Sequence, residues 1–208
     1  MNILTNKLMK DGYLRNHFII ESFANVDRVN FVLPELEQSA NADIPLPIGY
    51  GQTISQPTTV AIMLELLDPL KDQKILDIGS GSGWTTALLA YIVGEKGKVI
   101  SLERIKELCE FGRKNIRKIR EIKKEVAEIY NIDGSKGYAP RAPYDRILVS
   151  ASASEIPQEL KDQLKIGGKM VIPINNYLNY VERRGENDFY EEKYSGFTFV
   201  PLISKGDS

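Results

Sequence analysis

KILDIGSGSGW, residues 74–84, decides the fold. Lys74 to Ile78 is a short apolar run carrying one aspartate, Asp77, and Gly79, Gly81 and Gly83 follow at once. A run of that length closed by glycine reads as a buried strand, and the glycines let the backbone turn sharply and approach a ligand more closely than any side chain permits. WTTALLAYIVG, residues 84–94, continues as an apolar helix that stops at Gly94. Strand, glycine turn and helix in that order open a parallel sheet, whose ligands bind beyond the carboxyl ends of the strands.

Downstream the alternation continues. KVISLE (98–103) reads as a strand, RIKELCEFGRKNIRKI (104–119) as a helix, EVAEIYNID (125–133) and DRILVSAS (145–152) as strands, IPQELKDQL (156–164) as a helix and GGKMVIPI (167–174) as a strand. Beyond 176 the period changes: YLNYVERR (177–184) and FTFVPL (197–202) alternate apolar with polar residues and have no helix between them, which predicts antiparallel strands at one edge. Upstream, Leu4–Lys10 and Phe18–Val26 have helical spacing, a proline-bearing loop spans 34–51, and Pro57 opens a helix continued by Val60, Met63, Leu64 and Leu67. The expected class is α/β: a doubly wound, mostly parallel Rossmann-like sheet with helices on both faces, antiparallel C-terminal edge strands and an N-terminal helical extension. One domain over 1–208 is expected, divided into an extension with the substrate loop (1–56), a cofactor-binding core (57–176) and C-terminal strands (177–208).

Composition narrows the function. With 27 basic and 28 acidic residues the net charge is -1, so no global field favours nucleic acid or an anionic membrane. The mixed charges between Arg104 and Glu125 read as a solvated helix face. No apolar run reaches spanning length and the start lacks a secretory pattern, so the expected compartment is the cytoplasm. The single cysteine, Cys109, reads as a packed thiol in a helix, and the single histidine, His17, as a structural residue opening one; no metal site is expected.

The glycine spacing then selects a ligand class. A dinucleotide fingerprint needs glycine at position 84, which is Trp84. The observed G-x-G-x-G, preceded by Asp77, resembles the class I S-adenosylmethionine enzymes. An acidic strand end suits the ammonium of the methionyl group, where a pyrophosphate would be repelled. Two further acids agree with this: Glu103 at the end of its strand can accept both ribose hydroxyls, and Asp133, followed by Gly134, stands where an adenine amino group would lie.

The acceptor is read from GYGQTISQP, residues 49–57, which feeds straight into a helix. By position alone, Thr53 and Ser55 could cap that helix. Together with PLPIG (45–49), however, the stretch resembles the protein-L-isoaspartate (D-aspartate) O-methyltransferase family. The likeness extends through DIGSGSGW, the Asp133–Gly134 pair, GYAPRAPYDRILVSAS, EIPQELKDQLKIGGKMVIPI and FVPL, and covers nearly the whole chain. It implies S-adenosyl-L-methionine as cofactor, S-adenosyl-L-homocysteine as product, and damaged proteins containing isoaspartate as partners, with a monomer and no nucleic-acid or membrane partner. Ser55 matches the catalytic serine, with Thr53 and Ile54 beside it on the substrate side. The cofactor contacts are Gln52, Thr53, Asp77, Gly79, Ser80, Gly81, Gly83, Glu103, Asp133 and Gly134. FTFVPL is expected to be a wall that pairs with substrate backbone.

Three places depart from the family pattern: Asn41 stands where tyrosine is expected, Ile132 where glycine precedes the DG aspartate, and Ser152 and Ser154 add hydroxyls near the pocket. Three rival readings follow: a carboxylate methyltransferase for one partner peptide, an RNA methyltransferase, and a non-catalytic cofactor-binding module.

Overall fold

The structure, a computed structural model, describes residues 2–202; residues 203–208 of the expected C-terminal segment lie outside the described residues. The chain opens with α1 (Ile3–Lys10) and α2 (His17–Asn25), whose Asn2 and Asn16 side chains accept N-terminal amides as caps. His17 therefore starts a helix. A 3-10 turn covers Arg28–Phe31, and the loop expected over 34–51 is more regular than its prolines suggest, with a second 3-10 turn over Pro34–Ser39. The substrate segment itself forms a small hairpin of β1 (Leu46–Gly49) and β2 (Gln52–Ile54), reversed through left-handed Tyr50 and Gly51. α3 (Pro57–Leu67) follows with proline in its first turn.

The main sheet begins with β3 (Lys74–Ile78), then α4 (Trp84–Val93), β4 (Lys98–Leu102), α5 (Lys106–Ile116) and β5 (Ala127–Tyr130). It returns through β6 (Tyr144–Val149), the short α6 (Gln158–Asp162), β7 (Leu164–Ile174), β8 (Tyr177–Arg183) and β9 (Phe189–Ser195). The seven strands lie in the order β5-β4-β3-β6-β7-β8-β9, the first five parallel and the last two antiparallel. The parallel strands are apolar on both faces, as a sheet covered twice requires. The cover is unequal. Ile75, Val99, Leu148 and Val171 pack under α1 to α5, while Leu76, Ile100, Ile147 and Met170 are covered by α6 through Leu160, by Tyr138 and Tyr144, and by loops.

The C-terminal edge differs in detail from the expectation. The outer antiparallel strand is β9, FYEEKYS, and FTFVPL is not a ladder strand. β9 pairs residue for residue with β8, so the chain has already turned away at Gly196 (φ 95°) before Phe197. The final residues instead cross the carboxyl ends of the parallel strands, where Ser152 bridges Pro201.

Candidate active site

The chain runs outward from β3 to β4 and β5 and then crosses back to β6, so the winding reverses between β3 and β6. Their ends are level, with Ile78 opposite both Leu102 and Val149. A crevice opens at such a reversal.

One wall is the glycine turn. The Gly79 and Ser80 amides donate to Leu102 O (2.9 and 3.2 Å), and Gly83 N–H closes the turn onto Ser80 O at 2.7 Å. Gly79, Gly81 and Gly83 all have positive φ (84°, 50° and 88°). A Cβ on Gly83 would also lie 3.0 Å from the backbone of Gly112. Asp77 sits on the β3 face covered by α4 and has no solvent exposure. Its Oδ2 accepts from Thr86 Oγ1 (2.6 Å) and Ser101 Oγ (3.1 Å), and burial lifts its pKa from 3.8 to about 6 against those hydrogen bonds. Glu103, 6% exposed, follows β4 directly; its two oxygens accept from Gly81 N and Ile105 N at 2.9 Å each. A carboxylate has about four lone-pair positions, so two remain for further donors.

The three acids do not each end a strand, as the sequence suggested. Asp77 is inside β3 and Asp133 lies in the loop past β5, where Asn131 donates to Glu103 O and Arg104 O and draws the chain off the ladder. The loop nevertheless returns Asp133 and Gly134 to the crevice. Glu103, Asp133 and Gly134 line one cavity together with Gln52, Gly79, Gly81 and the closing residues Val200 to Leu202. Asp133 Oδ1 accepts from Ser135 N at 2.9 Å. A Cβ on Gly134 would strike Ile78 at 2.7 Å, and one on Gly81 would lie 3.1 Å from Ile48.

The opposite wall is the segment after β2. Thr53 and Ser55 line a second cavity, with Thr59, Ser150 and Phe197 to Val200; among the described residues no charged side chain lines it. Neither hydroxyl caps α3. That cap is Asp43, whose carboxylate accepts from Thr58 N (2.9 Å) and Thr58 Oγ1 (2.6 Å). Ile54, by contrast, points into the core at 4% exposure. A narrow third cavity, lined by Ile54, Ser55, Gly79, Ser80 and Ser150, joins the two walls.

Sequence reasoning missed two residues here. Arg28 is 1% exposed and donates to five carbonyls: Ala40 (3.0 Å), Ala42 (3.1 Å), Ile44 (2.9 Å), Ile54 (3.5 Å) and Ser55 (3.0 Å). It also lies 5.3 Å over the Trp84 ring, at the start of α4. Burial lowers its pKa to about 10, with Asp43 pulling the other way, so it stays charged at neutral pH. Nothing in its local sequence marks it. Ser150 follows β6, and its place beside the winding reversal was a usable signal.

The residues present fit an S-adenosylmethionine group. Asp77 Oδ1, Ser80 Oγ and Ser150 Oγ are buried beside the turn without hydrogen-bond partners, which suits a ligand bringing its own donors and acceptors. Over residues 1–207 the chain matches the family described as protein-L-isoaspartate(D-aspartate) O-methyltransferase (PCMT).

The chain belongs to that family.

A protein-L-isoaspartate O-methyltransferase of Methanopyrus kandleri is 45% identical over 209 residues, covering 97% of this chain and 90% of the relative. One from Thermococcus onnurineus is 44% identical over 204 residues, covering 96% and 91%. Among solved structures, one described as a protein-L-isoaspartate O-methyltransferase from Plasmodium falciparum, in complex with S-adenosyl-L-homocysteine, aligns with TM-score 0.85 at 28% identity and covers 96% of each chain.

Within this protein-L-isoaspartate O-methyltransferase fold the departures acquire places. Asn41 is exposed and lines none of the three cavities; Ile132 packs its side chain into the second core cluster. Ser152 and Ser154, expected near the pocket, do not line it either. Ser152 is taken up by the tail: its N–H donates to Val200 O (2.8 Å), its O accepts from Leu202 N (2.7 Å), and its hydroxyl turns toward Asn175 O. That pairing fixes Val200 across both larger cavities. Cys109 is buried, and among the described residues no group of acidic, histidine and cysteine side chains could hold a metal. None of the described helices is long and apolar enough to cross a membrane.

Proposed function

We propose that this chain repairs damaged proteins by moving a methyl group from S-adenosyl-L-methionine to the free α-carboxylate of L-isoaspartyl and D-aspartyl residues. One observation carries the reading: a cavity at Ser55 lined by hydroxyls and, among the described residues, by no charged side chain meets the cofactor strand ends through a smaller cavity that Ser55, Gly79 and Ser150 line. A carboxylate is already ionised at neutral pH, so the nucleophile needs no general base, which suits a chain whose one histidine, His17, lines none of the three cavities.

When bound, the cofactor would supply a sulfonium-bound methyl that the carboxylate oxygen could accept, leaving the sulfur as a neutral thioether and releasing no proton. The chain's own residues do the rest. Glu103 and Asp133 would take the ribose and adenine edges, Asp77 and the glycine turn the methionyl end. Gln52 closes the same cavity and Thr53 flanks the acceptor. Ser55 would donate to the carboxylate and orient it. The tail residues 197–202 would cover the slot and exclude water, since a weak nucleophile competes poorly in its presence. The resulting ester loses methanol without the enzyme, forming a succinimide that reopens partly to normal aspartate.

Near-zero net charge supports a protein acceptor over RNA, and we further infer a cytoplasmic monomer. Size-exclusion chromatography with light scattering tests the last point. The central test is transfer of radiolabelled methyl to an isoaspartyl peptide, its aspartyl twin and a structured RNA. Only the first should be labelled. Ser55→Ala should lower turnover about 10- to 100-fold, as loss of one hydrogen bond to a charged group does, with S-adenosyl-L-homocysteine affinity unchanged. Equal labelling of both peptides, or of RNA, would overturn the reading.

A further inference from the structure

Among the described residues, Ser150 alone lines all three cavities: the cofactor strand ends, the Ser55 cavity and the slot between them. Its backbone is fixed, because Ser150 N–H extends the β3–β6 ladder by donating to Ile78 O at 2.9 Å. Gly79 stands against it: a Cβ on Gly79 would lie 3.7 Å from Ser150 Cβ. With glycine at 79, no side chain from the turn packs on Ser150 at that point. Ser150 Oγ is buried and makes no hydrogen bond. A buried donor of that kind is costly unless a ligand uses it.

The chemistry of the acceptor says which ligand group that is. With no cation among the described residues that line its cavity, a carboxylate entering it is held by neutral donors. Of the described side chains lining that cavity, only Ser55 and Ser150 also line the slot that leads to the glycine turn. Neutral hydroxyls hold an anion without the strong pairing that an arginine would impose, so the oxygen keeps its nucleophilicity. We propose that Ser150 is a second catalytic hydroxyl, donating to the acceptor carboxylate together with Ser55. The assignment rests on the carboxylate-acceptor reading above. It gives the site a two-point grip in which one carboxylate is turned by hydroxyls from two separate parts of the chain, the hairpin segment and the end of β6.

Steady-state kinetics on an isoaspartyl peptide test it, with S-adenosyl-L-homocysteine binding followed by calorimetry on the same proteins. Ser150→Ala should reduce kcat/KM for the peptide by about tenfold or more while the calorimetric affinity stays within about twofold, and Ser150→Thr should restore most of the loss. The Ser55→Ala/Ser150→Ala double variant should lose less than the product of the single losses, because both hydroxyls act on one group. Full activity of Ser150→Ala overturns the assignment, as does a loss that tracks cofactor affinity, which would make Ser150 a cofactor contact. An independent effect in the double variant overturns it too. Wild-type protein that leaves the isoaspartyl peptide unmethylated overturns the acceptor reading, and this assignment falls with it. Thermal melts of each variant separate these results from loss of fold.

Discussion

The glycine turn and the Ser55 segment line the same slot, yet they are held by different means. The turn is fixed almost entirely by its own neighbourhood: positive-φ glycines, amides tied to the end of β4, and Asp77 clasped by Thr86 and Ser101 beneath. The Ser55 segment leaves its small hairpin after Ile54 and is then held from elsewhere. Its carbonyl, those of Ile54 and Ile44, and two more in the preceding loop converge on a single guanidinium from Arg28, 27 residues upstream of Ser55. One wall is local and redundant; the other depends on a distant hub. Each wall therefore breaks at a different kind of residue, the Ser55 wall at its hub and the glycine turn at its own buried groups.

Removing the hub should cost most. Arg28→Ala leaves a buried set of carbonyls without a donor and a void beside Trp84, and loss of such a network costs on the order of 4 kcal/mol. Urea denaturation would measure it. Arg28→Lys should recover only a small part, since one ammonium cannot span carbonyls that a planar fork reaches together. A lysine variant as stable as wild type would show that charge alone, not the fork, organises the loop.

The local wall should respond instead to pH. Burial lifts Asp77 from 3.8 to about 6, so between those values the folded protein keeps a proton that the unfolded chain has released. Stability from this group is therefore fully present below pH 3.8, is lost as pH rises toward 6, and is level above it; the shift corresponds to at most about 3 kcal/mol. Asp77→Asn has no such proton to lose. The stability difference between the two proteins, followed by urea titration at steps from pH 4 to 7, should move against wild type and then flatten near 6. A constant difference across that range would mean that Asp77 is ionised throughout.

The same contrast explains what was legible in the sequence. β3, the glycine turn and α4 are written in consecutive residues whose apolar run, φ requirements and stop at Gly94 each act locally, so spacing sufficed. Glu103 could be placed because it directly follows a strand. Asp133 could be placed only approximately, since the ladder stops at Tyr130 and a loop carries the acid back. The tail was misjudged because alternation in FTFVPL resembles an edge strand, and nothing local reports that β9 already occupies that edge. Ser55 was legible through family likeness alone. Its support from Arg28 was not, because DRVNF carries no mark that its arginine will be buried under five carbonyls.

A smaller effect sharpens the comparison at the seam between the loop and α3. Gln56 is the N-cap residue but makes no side-chain cap bond, and the helix takes its cap from Asp43, across the loop. Burial raises the Asp43 carboxyl, but the hydrogen bonds from Thr58 and Gln56 outweigh it and hold the group below its usual value. The cap therefore contributes stability at neutral pH that is lost as pH falls through the Asp43 pKa. Asp43→Ala should cost about 1 kcal/mol, and Asp43→Asn much less because asparagine also caps. If the Ser55 wall depends on remote anchors, the alanine variant should also raise KM for an isoaspartyl peptide while leaving S-adenosyl-L-homocysteine affinity alone, because the glycine turn carries none of this load. A stability loss with unchanged KM would mean that Arg28 alone holds Ser55 in place.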